Sequence, residues 1–425
     1  MGDVILVAAL VFVAVRGGEH AGVRQREQVR QRMDRLDNPI RDYAWGSADD
    51  IPDFLGLPPD GKPQAEMWMG AHPSDPSTVL RGGTATPLPE LIAEDPAGQL
   101  GPVVLQRYGP RLPFLFKLLG VAKPLSLQVH PDKRHAEAAY AAEVGSGTAE
   151  RDYPDDNHKP ELPCALRDGF EVLCGFRPVP DTIALLDDLA VPGLTAGRQQ
   201  LAGSPGADGL RALVTEILTA RADHAAVIAA VRENCARLTA GDGRWAAACA
   251  AYARVAEAYP GDPGVLVALL MNHAVLAEGD ALFVAAGVPH CYLHGFAAEI
   301  MASSDNVLRA GLTGKRVNVP ELLRVLDFRP APLHILRPEP DGNEETYPVP
   351  VGDFRLSRMR PGTDGVKLPD SLPQILLCIA GTVLLSAPGG AELALRKGQS
   401  GYLSASCGGV VATGPGTVLR ATVGG

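Results

Sequence analysis

No two cysteines in this 425-residue chain stand at a CxxC spacing. Cys164, Cys174, Cys235, Cys249, Cys291, Cys378 and Cys407 are odd in number and scattered, which fits reduced thiols in a cytosol better than a disulfide framework. Basic residues are not in excess. The net charge is −10, whereas a nucleic-acid binder shows a basic face. An anionic substrate would have to be drawn by local positive charges. A full-length apolar span is also missing. VILVAALVFVAV (4–15) falls short of the about 20 residues that a bilayer needs. No positive charge precedes it and no small-residue cleavage site follows closely, as a secretory signal would require. Residues 1–32 are therefore read as an upstream extension, with the natural start at Met33; a weak membrane anchor is the competing reading. Low-complexity tracts and fixed-period repeats are absent. So is histidine after His334, and a second β-barrel there could not repeat a histidine-based ligand set.

What remains is the composition of an ordinary globular protein, 46% hydrophobic and 21% charged, and long enough for two or three domains. From 33 to about 175 the pattern reads as strand and loop, rich in proline and glycine. FLFKLLGVAKPLSLQVH (114–130) predicts two short buried strands broken at Pro124. Between 179 and 272 the period changes. Leu210, Leu213, Val214, Ile217 and Leu218 share one helix face, as do Val227, Ile228, Val231, Cys235 and Leu238. An alanine-rich third helix ends at the turn PGDPG (260–264). The expected organisation is an extension at 1–32, a β domain over 33–178, a helical insertion over 179–272 with a structural or lid role, a return of the β domain over 273–330, and a small structural β domain over 331–425.

The stretch LSLQVHPDK (125–133) carries Gln128 and His130 in an apolar run. In a strand, residues i and i+2 face the same way. A polar pair on one face is costly to bury unless something satisfies it, and a metal ion would; a hydrogen-bonded pair at a strand edge is the simpler alternative. Further donors occur in DDNHKPEL (155–162), with His158 and Glu161, and in GVPHCYL (287–293), with His290 at a strand end. Two donors on one strand, a carboxylate some 30 residues later and a distant histidine is the layout of a cupin-type barrel site, which gathers donors from separated strands. Gln128, His130, Glu161 and His290 would form a mixed nitrogen–oxygen set for Zn²⁺ or a similar divalent ion.

These stretches, with NPIRDYAWGS (38–47), AEMWMGAHPSDPS (65–77), EVLCGFRP (171–178), GDALFVAAGVPHCYL (279–293) and EIMASSDNVLRAGLTGK (299–315), resemble the type I phosphomannose isomerases in the expected order. The resemblance implies a mainly β fold: cupin-type (double-stranded β-helix, jelly-roll) barrels with an inserted α-helical domain. It implies one Zn²⁺ per chain, held by Gln128, His130, Glu161 and His290. It also implies interconversion of mannose 6-phosphate and fructose 6-phosphate in mannose metabolism, through an enediol formed by moving a proton between C2 and C1. By matching motif, His158, Lys159, Asp305 and Lys117 are candidates for proton transfer, and Arg309 for stabilising the enediolate. Ser126, Lys117, Lys315 and Arg316 are candidates for the phosphate, although Arg316 reads more readily as a solvated loop residue. Tyr292 and Glu299 match pocket positions. Trp45, Trp68 and His72 lie in family motifs as wall or core residues. The expected partner is a small sugar phosphate, with neither nucleic acid nor stable membrane association, for a cytoplasmic monomer. Two other classes compete: a cupin oxygenase holding Fe²⁺, against which Gln128 speaks, and a non-catalytic sugar-binding cupin, which could dispense with Lys159, Asp305 or Arg309.

Overall fold

The computed structural model describes residues 33–81, 83–148, 150–220 and 224–425. The expected extension at 1–32 lies outside the described residues. None of the described helices is long and apolar enough to cross a membrane.

The architecture is sheet-rich. One sheet is built around the eight-residue strand Phe114–Val121, buried along its whole length. Its neighbours are Glu66–Met69 and the long strand His290–Ala302. Beyond the latter come Phe170–Phe176 and Met271–Leu276. His290–Ala302 also pairs with Glu161–Ala165 along its second half and with Gln128–Val129 at its start. It is therefore the backbone on which several segments, distant in sequence, are assembled. Burial on both faces explains why Phe114–Val121 reads as an apolar run broken only by Lys117.

A second sheet is drawn from both ends of the described chain. Met33–Asp37 pairs with Ser400–Leu403 on one side and Thr78–Arg81 on the other. Gln374–Ala380 and Thr417–Thr422 continue it. A smaller sheet made of Gly362–Lys367, Val411–Gly414, Thr382–Ser386 and Glu392–Arg396 closes over an apolar core that includes Leu376, Val383, Leu395 and Val418.

The described residues between 179 and 268 are mainly helical, from Val179–Leu189 to Gly264–Ala268, and the β region returns at Met271. Leu210, Leu213 and Val214 are buried as their spacing requires, and so are Ile228, Val231 and Cys235. The reading of 33–175 as strand and loop needs correction. Helices Asp50–Leu55, Leu88–Glu94, Pro96–Tyr108 and Lys133–Ser146 occur there. Proline and glycine mark their ends. Pro96 opens one helix behind Asp95, whose side chain accepts from Gly98 N (2.9 Å). Lys133–Ser146 is capped by Asp132, which accepts from His135 N (2.8 Å), and stops at Gly147 with φ 68°.

Candidate metal centre and active-site cleft

Three buried side chains converge beside the long strand. His130 follows Gln128–Val129, Glu161 opens Glu161–Ala165, and His290 opens His290–Ala302. Their ligand atoms all lie within 4.8 Å of one another. Main-chain pairing brings them there. Gln128 is the cross-strand partner of His290, Glu161 N donates to Val284 O (3.1 Å), and Gly287 N donates to His130 O (2.9 Å). Gly287 has φ +79°, and a Cβ on it would stand 2.9 Å from Val325 O, so the turn leading to His290 needs glycine.

The two imidazoles are aimed by backbone carbonyls. His130 Nδ1 lies 2.7 Å from Asn306 O and His290 Nδ1 3.1 Å from Val288 O. Each Nδ1–H donates to its carbonyl, which leaves each Nε2 with a free lone pair. His130 Nε2 stands 3.2 Å from Glu161 Oε1, and His290 Nε2 stands 3.3 Å from Glu161 Oε2. These contacts set acceptor against acceptor. His130 Nε2 is buried and has no hydrogen-bond partner among the described residues, a costly arrangement unless a cation stands between the groups. Burial pushes the His130 pKa down to about 4, so the ring is neutral near pH 7. Burial opposes ionisation of Glu161, but the Lys159 ammonium (Nζ 2.9 Å from Oε1) holds its carboxyl well below the usual range. Two imidazole nitrogens and one carboxylate fit zinc or a similar divalent ion.

A cleft of about 580 Å³ opens beside this cluster, bordered by Gln128, Lys159, Ser126, Asp305, Arg309 and Lys315. Lys117, Trp45 and Trp68 also line it. A deeper chamber of about 50 Å³ is bounded by Glu161, His290, Tyr292 and Glu299. Tyr292 OH donates to Glu299 Oε1 (2.8 Å). Burial, and then the Glu161 charge, raises the Glu299 pKa to about 8. Lys117 sits 3.3 Å from Glu66 and over the Trp68 ring. Arg309 is half-buried, its pKa lowered by burial, and no carboxylate pairs with it among the described residues. Asp305 lies 3.4 Å from His72 instead.

Two sequence candidates stand apart from this wall. The His158 Nε2 is 3.0 Å from Asp353 Oδ1, and His158 is not among the side chains lining the cleft. Arg316 pairs with Asp152 (2.6 Å), in keeping with a solvated loop residue. Sequence reasoning missed Tyr43, Glu66, Lys123 and Tyr259, which border the cleft. It also missed Asn306, whose carbonyl aims His130 while its side-chain amide donates to Asn157 O (2.7 Å) and Asp155 O (2.8 Å). Asn306 was within view in SSDNVLRAG, beside Asp305; Tyr43, Glu66 and Lys123 also stand in quoted motifs, but nothing in their local sequence says that they face the cleft, and Tyr259 comes from the end of a distant helix.

A sheet-borne pair of histidines and a glutamate, set beside a cleft rich in lysine and arginine, defines a metal-centred site for an anionic ligand. Residues 33–179 match the family described as phosphomannose isomerase type I, catalytic domain. The mannose-6-phosphate isomerase of Salmonella typhimurium is 36% identical over 396 residues, covering 91% of this chain and 99% of that protein. The mannose-6-phosphate isomerase 1 of Arabidopsis thaliana is 34% identical over 330 residues, covering 71% and 73%. A crystal structure of a variant phosphomannose isomerase from Salmonella typhimurium superposes with a TM-score of 0.85 at 35% identity, covering 92% of this chain and all of that one (100%). A mannose 6-phosphate isomerase bound with zinc and yttrium gives 0.84 at 35% identity, covering 93% and 100%. The chain belongs to the mannose-6-phosphate isomerase family.

Proposed function

We propose that this chain interconverts mannose 6-phosphate and fructose 6-phosphate with one zinc ion per chain. The carrying observation is the His130 Nε2 that faces Glu161, without a hydrogen-bond partner among the described residues, beside a cleft lined by Arg309, which has no ion-pair partner among them. His130, Glu161 and His290 would hold the ion, with the Gln128 side chain, which borders the same cleft, as fourth donor. Bound there, zinc would supply Lewis acidity toward the sugar's carbonyl and hydroxyl oxygens. Isomerisation then needs a proton carried between C2 and C1. Lys159, 2.9 Å from Glu161 and on the cleft wall, is the nearest such group to the metal cluster; Asp305 is the exposed carboxylate on the same wall. His158, braced on Asp353, is the weaker candidate. Arg309 carries an uncompensated positive charge that a developing enediolate would neutralise. Ser126 and Lys315 would take the phosphate, Lys117 would bind sugar oxygens, and Tyr292 with Glu299 would form the floor; all of them line the cleft or the chamber beneath it. The antiparallel sheets are read as cupin-type barrels, and the protein as a cytoplasmic monomer. The test is direct: protein stripped by chelator and reloaded with Zn²⁺ should form fructose 6-phosphate from mannose 6-phosphate. Protein that contains zinc and yields none would overturn the reading.

A further inference from the structure

The turn that closes the helical insertion reaches the cleft. Tyr259 borders it, and the Tyr259 hydroxyl donates to Pro124 O (3.0 Å). Three residues on, Asp262 uses both carboxylate oxygens. Oδ1 accepts from Gly264 N (2.7 Å) and Oδ2 from Thr313 N (3.1 Å). Thr313 and Lys315 belong to the cleft wall, and Asp262 does not. The wall segment is not relaxed. Leu312 is buried with φ 57° and Gly311 has φ 123°, a region that non-glycine residues such as leucine avoid unless their surroundings hold them. Gly264 and Gly311 pack so closely that a Cβ on Gly311 would fall 2.6 Å from both Asp262 Oδ1 and Gly264 Cα. Gly311 O in turn accepts from Leu127 N (3.0 Å), next to Gln128. The Lys315 ammonium forms no ion pair among the described residues.

We propose that Asp262 is a positioning residue for substrate binding, locking the 311–315 segment so that Lys315 meets the phosphate end of the sugar phosphate. This rests on the sugar-phosphate reading above. A carboxylate suits the task because two N–H groups, from separate segments, each take one oxygen in a charge-assisted bond. Asparagine offers one acceptor in place of two, and alanine none.

Parent, D262N, D262A, K315A and the D262A/K315A double variant, all zinc-loaded, would be compared for kcat and KM, for the Kd of mannose 6-phosphate by calorimetry, and for Tm. D262A is expected to raise KM and Kd about tenfold while kcat stays within about threefold, the pattern of lost uniform binding. D262N should fall between D262A and parent. The double variant should match the worse single variant and not the product of the two, because both act through one contact. Unchanged KM and Kd with a lowered Tm would make Asp262 a plain brace and overturn the proposal, as would multiplying effects. If D262A does not fold, D262N and its combination with K315A carry the same comparison. A parent that binds the sugar phosphate without isomerising it would remove the activity reading and leave the Kd comparison to decide this one.

Discussion

Arg309 is the direct antiparallel partner of Gln128. Gln128 is also the partner of His290. The two-residue strand Gln128–Val129 thus ties the metal cluster to the cationic wall of the cleft through main-chain pairing alone. Leu127 and Val129, fully buried, anchor that strand in the core from its other face. A side-chain change at Arg309 should therefore leave the metal ligands where they are, and a change at a metal ligand should leave Arg309 in place.

The metal ligands give the first prediction. His290→Ala removes one of two imidazoles that converge on Glu161. Elemental analysis should find zinc falling from about one ion per chain to near none, with isomerase activity lost in parallel. Full zinc occupancy in that variant would show that the ligand set is wrongly drawn.

Much of this site was legible because its residues repeat at a strand's period or stand in short specific motifs. Gln128 and His130 are two apart, and both border the site while Leu127 and Val129 face the core. Glu161 and His290 stand at strand starts after NHKP and GVP. What was not legible is pairing over long separations. Nothing near Met33–Asp37 announces that its partners are Leu403, Tyr402 and Gly401, because the energy of that pairing lies in a sheet formed with the far end of the chain. The His158 contact shows the same limit: its partner, Asp353, comes from the C-terminal region. Tyr259 and Asp262 were read only as the end of a helix, since a turn's local signal does not say which surface the turn will meet. The helix Lys133–Ser146 is a different case. Its cap, Asp132, and its stop, Gly147, were present in the sequence, but the proline and glycine around it suggested loop.

Acid should weaken the metal-free protein in a defined window. His130 is neutral when folded down to about pH 4, whereas its ordinary value is 6.5. Between these values the unfolded chain binds a proton that the folded chain does not, so stability falls as pH falls, and levels off below about 4. The slope from this one group is about 1.4 kcal/mol per pH unit, or about 3 kcal/mol across the window. Urea unfolding of chelator-treated protein from pH 7 to 4.5 should show it, and His130→Asn should lose that share of the slope. Equal slopes in the two proteins would rule out His130 as the source.

The C-terminal region contains a buried ion pair that predicts stability without activity. Arg420 is 1% exposed. Its Nε and Nη2 donate to the two Glu344 oxygens at 2.8 and 2.6 Å. Glu344→Ala strands the guanidinium in the interior and should cost about 3–5 kcal/mol, whereas an apolar pair such as Arg420→Met with Glu344→Leu should recover most of it. Denaturant unfolding measures both. The kcat of the folded fraction should stay at the parent value, because the pair belongs to the sheet that does not carry the metal cluster.

Arg309 separates chemistry from scaffolding. Its guanidinium borders the cleft half-buried, with no carboxylate partner among the described residues. Asp305, the obvious candidate four residues back, is engaged with His72 and, through its backbone N–H, with Asp155 (2.7 Å). The loop is thus pinned by Asp155, Ser304 and Asn306 and not by an Arg309–Asp305 bridge. A planar fork of N–H donors suits oxygens that gain negative charge in an enediolate, and lysine keeps the charge but loses the fork. Contacts that strengthen toward the transition state act on kcat more than on KM. Arg309→Lys should therefore lower kcat by roughly 10²-fold or more, the scale of losing one oxyanion donor, with zinc content and Tm near those of the parent. If Arg309 served only to hold the loop, Tm would fall and kcat would not. Measuring kcat, zinc content and Tm on one preparation distinguishes the two, and a parent-like kcat would remove Arg309 from the reaction.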